Sequence, residues 1–491
     1  MKKNIKETLS HIWEKIKGFA ILAGEKIKAG FLWLAKKAKK LASIIETKLE
    51  SIAPNISLKV KKGVLISLAS IIVITIAYAI TVNSYSKDLH EFQDDKCINC
   101  GISSSLVYKF TYNSENDTYS ISGRGIWNGL YDDVILPESY KGKRVSEVSP
   151  SAFDNAKILR KVVIPEGVTS IGEGAFLGCG QLKEITLPEG LITIEDEAFC
   201  ACPKLVDITL PSSMTTLGVG AFYNCTSLSA ITLPDSLTKI DNFAFEGCKN
   251  LKSLKIGSSL TTIGDMAFAF CSLDEVSGES PAFYTEGNCL IEAATKTVVI
   301  GTNNSLIPEG VTVIGKYAFS SRYTLKSIII PKSVTEIEPF AFFDCESLTD
   351  ITLGEIKEIG YKAFYSCSAL KEITLPDTLT VIDEEAFSNC SLLAKIAIPD
   401  SVTEIGTRAF TNCSSLSEVV IGSGVRYIGD RAFLFCANIT SLTFVSPEGW
   451  YVTKDSSLEG GEAVPAELLG DKSEAHGLLT GEYKNHYWYK K

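Results

Sequence analysis

Short apolar runs, separated by polar turns, recur along most of this chain with a 23-residue beat. One full unit is 182–204, LKEITLPEGLITIEDEAFCACPK. Leu182, Ile185 and Leu187 alternate with polar residues, which predicts a short strand. Pro188 removes a backbone donor and ends the pairing, and Glu189-Gly190 make a turn. Leu191 and Ile194 open a second short apolar segment. Ala198, Phe199 and Cys202 then fall on one side of a single helical or 3₁₀ turn. Such a unit cannot bury about eight apolar side chains alone. Stacking solves this, because each coil covers its neighbour and its strands pair about 4.8 Å away in parallel sheets. The fold class predicted is a mainly β solenoid of about twelve coils. The Ala-Phe pair marks the beat from Phe153 to Phe433 in twelve copies, and ten of them carry cysteine three residues later.

Two departures interrupt the rhythm. The step from Phe342 to Phe364 is 22, a one-residue deletion near Gly354. The step from Phe268 to Phe319 is 51, so 28 residues are inserted, at about 279–308. Within them, Cys289–Glu292 and Thr297–Ile300 flank a four-residue turn and predict a β-hairpin projecting from the stack. Open solenoid ends need covers. Residues 106–135 supply one, with alternating segments around a polar turn at Asn113–Asp117. Residues 136–444 hold the repeats, and 445–491 break the pattern with Trp450, Tyr483, Tyr487, Trp488 and Tyr489. These aromatics read either as a cover for the last coil or as a ligand shelf.

The pattern before the repeats is different. In 1–62 apolar residues recur at three- and four-residue steps, as in Ile5, Leu9, Ile12 and Ile16, and lysines fill the other face. This predicts an amphipathic helix, lying on an anionic inner leaflet or self-associating. Residues 63–83 are uncharged and apolar, long enough for a transmembrane helix, and 84–105 form a stalk. Charge sharpens the division. The first 62 residues hold fifteen lysines, no arginine and five glutamates, near +10, within a chain of formal net charge −10. The positive-inside bias predicts a single-pass membrane protein with a cytoplasmic N-terminus and an extracellular repeat domain. The acidic remainder argues against a nucleic-acid partner.

Candidate chemistry is sparse. The only histidines are His11, His90, His476 and His486, all outside the repeats, and no phosphate loop, nucleophile elbow or paired-His motif occurs. No catalytic residue, cofactor or metal site is expected. The repeat cysteines fall on a ladder and suit a buried core better than a disulfide framework. Cys97-Ile98-Asn99-Cys100 is a stalk CxxC, open to a local disulfide, free thiols or a partial metal site. The position before each sheet isoleucine or valine is often acidic: Glu184, Asp207, Glu275, Asp350, Glu372 and Glu418. That row reads as a cation- or amine-binding stripe or as a solvated face. Its neighbours turn apolar at Ile329 and Val420, a candidate partner patch.

The phrase LPxSVTxIGxxAFxxCxxLxxI is almost intact at 398–419, IPDSVTEIGTRAFTNCSSLSEV. It resembles the BspA-type leucine-rich repeats of bacterial surface proteins, over about residues 106–491. The insertion containing Asn288-Cys289-Leu290-Ile291 and the terminal Tyr487-Trp488-Tyr489 also resemble segments of that family. The resemblance implies a leucine-rich-repeat fold and a non-enzymatic protein that binds a protein or glycan outside the cell. The expected function is surface recognition or adhesion, the alternative being a structural or scaffolding envelope protein whose repeats act as a spacer. The membrane would be a partner through the span and the N-terminal arm.

Overall fold

A computed structural model describes residues 92–93, 96–97, 108–124 and 133–491. The arm at 1–62 and the helix expected at 63–83 lie outside the described residues. Among the described residues no helix is long and apolar enough to cross a membrane. The α-helices there are Ala466–Gly470 and Lys472–Gly477. Six residues rise about 9 Å, against about 30 Å of hydrocarbon. The expected fold class and localisation are corrected accordingly: the architecture supported is a β solenoid with a short C-terminal helical segment, and the single-pass membrane placement is not retained.

The chain forms two compact units, divided after Leu191. In the first, Tyr108–Asn113 and Thr118–Arg124 make an antiparallel hairpin. Its second strand pairs in parallel with Lys143–Val148, which pairs in parallel with Ser170–Ile171. A separate parallel sheet joins Asp133–Ile135, Lys161–Val163 and Glu184–Thr186. The Tyr108 hydroxyl donates to Ile135 O at 3.1 Å, linking the hairpin to that sheet.

In the second unit, Ile192–Lys491, Thr193–Ile194, Thr216–Leu217, Lys239–Ile240 and Thr262–Ile263 pair in parallel and in register. Another parallel sheet holds Ala230–Thr232, Ser253–Lys255 and Glu275–Ser277. After the insertion, the parallel strands run from Val313–Ile314 to Tyr427–Ile428. That run ends on the antiparallel strand Tyr487–Lys490, itself paired with Trp450–Thr453. Trp450 and Trp488 are buried beside Phe444, so these two rings cover the last coil and are closed to a ligand.

The Ala-Phe segment is not the helical or 3₁₀ turn expected from its spacing. The residues two before and two after the phenylalanine have left-handed backbones, as at Glu385 (φ 55°) and Asn389 (φ 64°). A helix cannot pass through such residues. The alternation turns every second N–H toward the next coil: Glu385 to Thr407 O at 2.9 Å, Phe387 to Ala409 O at 2.8 Å, Asn389 to Thr411 O at 2.8 Å. The rings stack at the same spacing, with Phe364–Phe387 centroids 5.2 Å apart and Phe387–Phe410 5.3 Å apart. The inserted hairpin does not project either. Phe283–Glu286, Cys289–Glu292 and Thr297–Ile300 form an antiparallel meander, and its last strand pairs in parallel with Val313–Ile314. Cys289, Leu290, Ile291 and Val298 are fully buried, and that apolar content draws the hairpin into the stack.

Candidate functional site

The outward row follows from strand alternation. In units such as Glu184–Thr186 and Asp350–Thr352 the middle residue is buried and its two neighbours are exposed. In the first unit Glu184 aligns with Lys161 and Asp133. In the second, Glu275 aligns with Ser253 and Ala230, Asp350 with Ser327, and Glu418 with Lys395 and Ser441. Asp207 accepts from Ser229 at 3.2 Å, and Glu372 is exposed. Lysine–carboxylate pairs close at Lys161–Glu184 (3.0 Å) and Lys395–Glu418 (2.8 Å). Each lysine's hydrogen bond holds its carboxyl below the ordinary glutamate range. Ile329 is 69% exposed beside Thr352, and Val420 aligns with Ala397 and Thr443.

The repeat cysteines are free and buried. Each described bond has one form: the thiol donates to the carbonyl of the phenylalanine one coil earlier, as in Cys345 to Phe319 O (3.1 Å) and Cys390 to Phe364 O (3.2 Å). Burial pushes the thiols of Cys225, Cys345 and Cys390 up to about 12. They are protonated donors filling the coil, not nucleophiles. Cys97 and Cys100 lie outside the residues whose side chains are described.

The junction around the insertion, from Ser272 to Arg322, holds what sequence reasoning passed over. The position three after Phe319 is Arg322, where most other coils have cysteine. It is 1% exposed. Its guanidinium donates to Gly301 O (2.6 Å), Ser320 O (2.8 Å) and Ala318 O (3.4 Å), and also to Cys271 O. Gly301 is obligatory there, because a Cβ would lie 2.1 Å from Phe319 Cε1. Asn288 and Asn303 pin the insertion to the preceding coil: Asn288 donates to Asp274 O (2.8 Å) and accepts from Val276 N (3.0 Å), while Asn303 donates to Asp274 Oδ1 (2.7 Å). Lining up the repeats exposes Arg322 as the one charged residue in the cysteine column, a signal available from sequence.

Beside Arg322 opens a cleft of about 550 Å³, between the coil at 261–269 and the insertion. That lies within the range of about 300 to 1,000 Å³ for ligand sites. Thr262, Asp265, Glu292, Thr297, Lys316 and Glu338 line its polar wall. Glu338 Oε2 accepts from Lys316 N at 2.8 Å, and Glu292 Oε2 from Thr295 Oγ1 at 2.5 Å. Tyr317 also lines the cleft, and its hydroxyl is pushed up by burial and then by Glu246 and Asp265, which marks the mouth as acidic.

A family model, BspA type leucine rich repeat region, matches six copies over residues 146–276, 300–393 and 352–450. The chain belongs to the BspA-type leucine-rich repeat family. Among solved structures, a leucine rich cell surface protein of Faecalibacterium prausnitzii is 30% identical with a TM-score of 0.52, covering 65% of this chain and 93% of its own. A leucine-rich repeat protein of Bacteroides ovatus is 29% identical with a TM-score of 0.46, covering 69% and 93%. The pneumococcal vaccine antigen PcpA shares the fold at 21% identity and a TM-score of 0.54, covering 69% and 88%. A search of curated proteins found no match. In this BspA-type chain, family membership accounts for the repeat column and leaves the partner to be argued from the surface.

Proposed function

We propose that this chain is a surface recognition or adhesion protein, non-enzymatic, binding a protein or glycan outside the cell through the exposed side of its strand ladder. The observation that carries the reading is Ile329. This large apolar side chain is 69% exposed, its register partner Thr352 is exposed too, and Asp350 stands exposed two residues along the same strand. An apolar anchor ringed by polar residues is how recognition surfaces concentrate their binding energy. The family and the Faecalibacterium cell surface protein support an interaction role at the cell exterior. The test is binding of the full chain to host cells, matrix proteins and a glycan array, beside an I329S/D350S/E372S variant. Loss of the dominant signal with unchanged thermal unfolding supports the reading, and undiminished binding by the variant overturns it.

A further inference from the structure

In an unbroken stretch of the solenoid each coil's backbone is used by the next. Thr238 O accepts from Thr261 N at 2.9 Å, and Ile240 O from Gly264 N at 2.9 Å. The same two positions one coil later are Thr261 O and Ile263 O. The amides that the repeat pattern would aim at them are Thr312 N and Gly315 N. These donate instead to Lys296 O (3.0 Å) and Val298 O (2.9 Å) of the insertion. The same substitution occurs in the turn: Ala267 O accepts from Phe245 N at 2.8 Å, whereas Ala318 O accepts from Gly301 N at 2.8 Å. The insertion has therefore replaced the coil at 261–269 as the backbone partner of Thr312, Gly315 and Ala318. Among the described residues, strand Thr262–Ile263 pairs with Lys239–Ile240 on one side and is the last strand of its sheet on the other. That free side borders the cleft.

We propose that this cleft takes an extended, lysine- or arginine-bearing polypeptide segment, added as a strand to the open edge at 261–264. An open edge presents backbone acceptors in strand register and is the template used in strand addition. The volume suits a segment of a few residues. Charge selects its side chains. Asp265, Glu292 and Glu338 face the cleft against the exposed Lys316, while Arg322 is already saturated by carbonyls. Alternate side chains of an added strand point to one wall, so basic residues at every second position meet the carboxylates. The inference deepens the recognition reading, on which it rests, by giving the partner a chemistry and a second point of contact.

The probe is a fluorescein-labelled acetyl-Thr-Lys-Val-Lys-Val-Lys-amide, titrated with the full chain and read by anisotropy at low and physiological salt. Saturable binding is expected, weaker by about tenfold for D265N/E292Q/E338Q and absent for T262R, which fills the cleft with a cation. Two versions N-methylated at alternate positions separate edge pairing from charge attraction, and one of them should lose binding. Equal binding by both versions, or by the glutamate counterpart of the peptide, overturns the proposal. So does the absence of any saturable signal. The I329S/D350S/E372S variant must keep its peptide affinity, so failure at the cleft and failure of the ladder reading are seen separately. Circular dichroism melts on every variant exclude unfolding as the cause of a lost signal.

Discussion

The coils after Phe319 and the junction before it solve the same problem differently. Along Phe342, Phe364, Phe387, Phe410 and Phe433 every ring has a stacked neighbour, within 10° of parallel. Each carbonyl in that column from Phe342 to Phe410 takes a thiol, as Phe364 O takes Cys390. At the junction the neighbouring coil is displaced, and Gly301 lies against Phe319 in place of a ring. A small neutral donor is then too short to fill the gap. A guanidinium is long, has five donors and reaches four carbonyls. Repetition permits an uncharged, identical solution in each coil, and an interruption demands a singular and charged one.

The largest expected effect separates the two regions by pH. A thiol raised to about 12 from an ordinary 9.0 stabilises the fold fully below pH 9 and loses that contribution as pH rises toward 12, because only the unfolded chain ionises readily. With several such thiols in each run of coils, alkaline unfolding should begin soon above pH 9. Circular dichroism against pH checks this. Labelling by iodoacetamide at pH 8 should be negligible at the repeat cysteines until denaturant is added. Rapid native labelling of Cys390 would break the picture of a buried donor column.

Next in size is Phe364→Ala, which removes a fully buried ring from between two stacked neighbours and should cost about 3–5 kcal/mol in urea unfolding. Arg322→Ala should cost about 2–4 kcal/mol, since several buried carbonyls lose their donor and a cavity opens. The matched change in a regular coil, Cys390→Ala, removes one weak donor and should cost about 1 kcal/mol. If the two cost the same, the junction is not the special place the hydrogen bonds make it. Arg322→Cys sharpens the point: restoring the repeat residue should fail to restore stability, because the coil that a thiol would reach is no longer adjacent.

The regular region was readable from sequence because each of its features repeats. The 23-residue spacing alone locates the Phe column, the thiol ladder and the alternation of the strands. The winding at Ala-Phe was misread as helical because Ala198, Phe199 and Cys202 share one side either way. The left-handed residues at its flanks include Phe340, Lys362 and Arg431, which carry no local signal for that backbone. The insertion's hairpin was visible in its apolar runs, but its pairing with Val313–Ile314 was not, since strand partners across an insertion leave no periodic mark. The open edge at 261–264 is a consequence of that pairing and was invisible for the same reason. The outward row was visible as a string of carboxylates, whereas its lysine partners emerge only once register sets Lys161 beside Glu184 and Lys395 beside Glu418.

The smallest expected effect concerns that row and tests whether burial, not charge, separates it from the junction. Lys395 and Glu418 form a 2.8 Å pair with both side chains substantially exposed. Solvent screens such a pair and ordering two side chains offsets its attraction. Lys395→Ala should therefore leave the unfolding midpoint unchanged within error at physiological salt. The local electrostatics must still respond. Glu418 is held low chiefly by its hydrogen bond to Lys395, so its carboxyl should titrate at higher pH in the variant, toward the ordinary 4.5. The sign is fixed by linkage: a depressed carboxyl contributes stability above its unfolded value and loses it as pH falls. Any midpoint difference between the two proteins should appear near neutral pH and vanish in acid. Carboxyl-detected NMR titration reads the shift directly. A large destabilisation by Lys395→Ala would mean that an exposed pair can matter as much as the buried guanidinium of Arg322, and the contrast between ladder and junction would then rest on geometry alone.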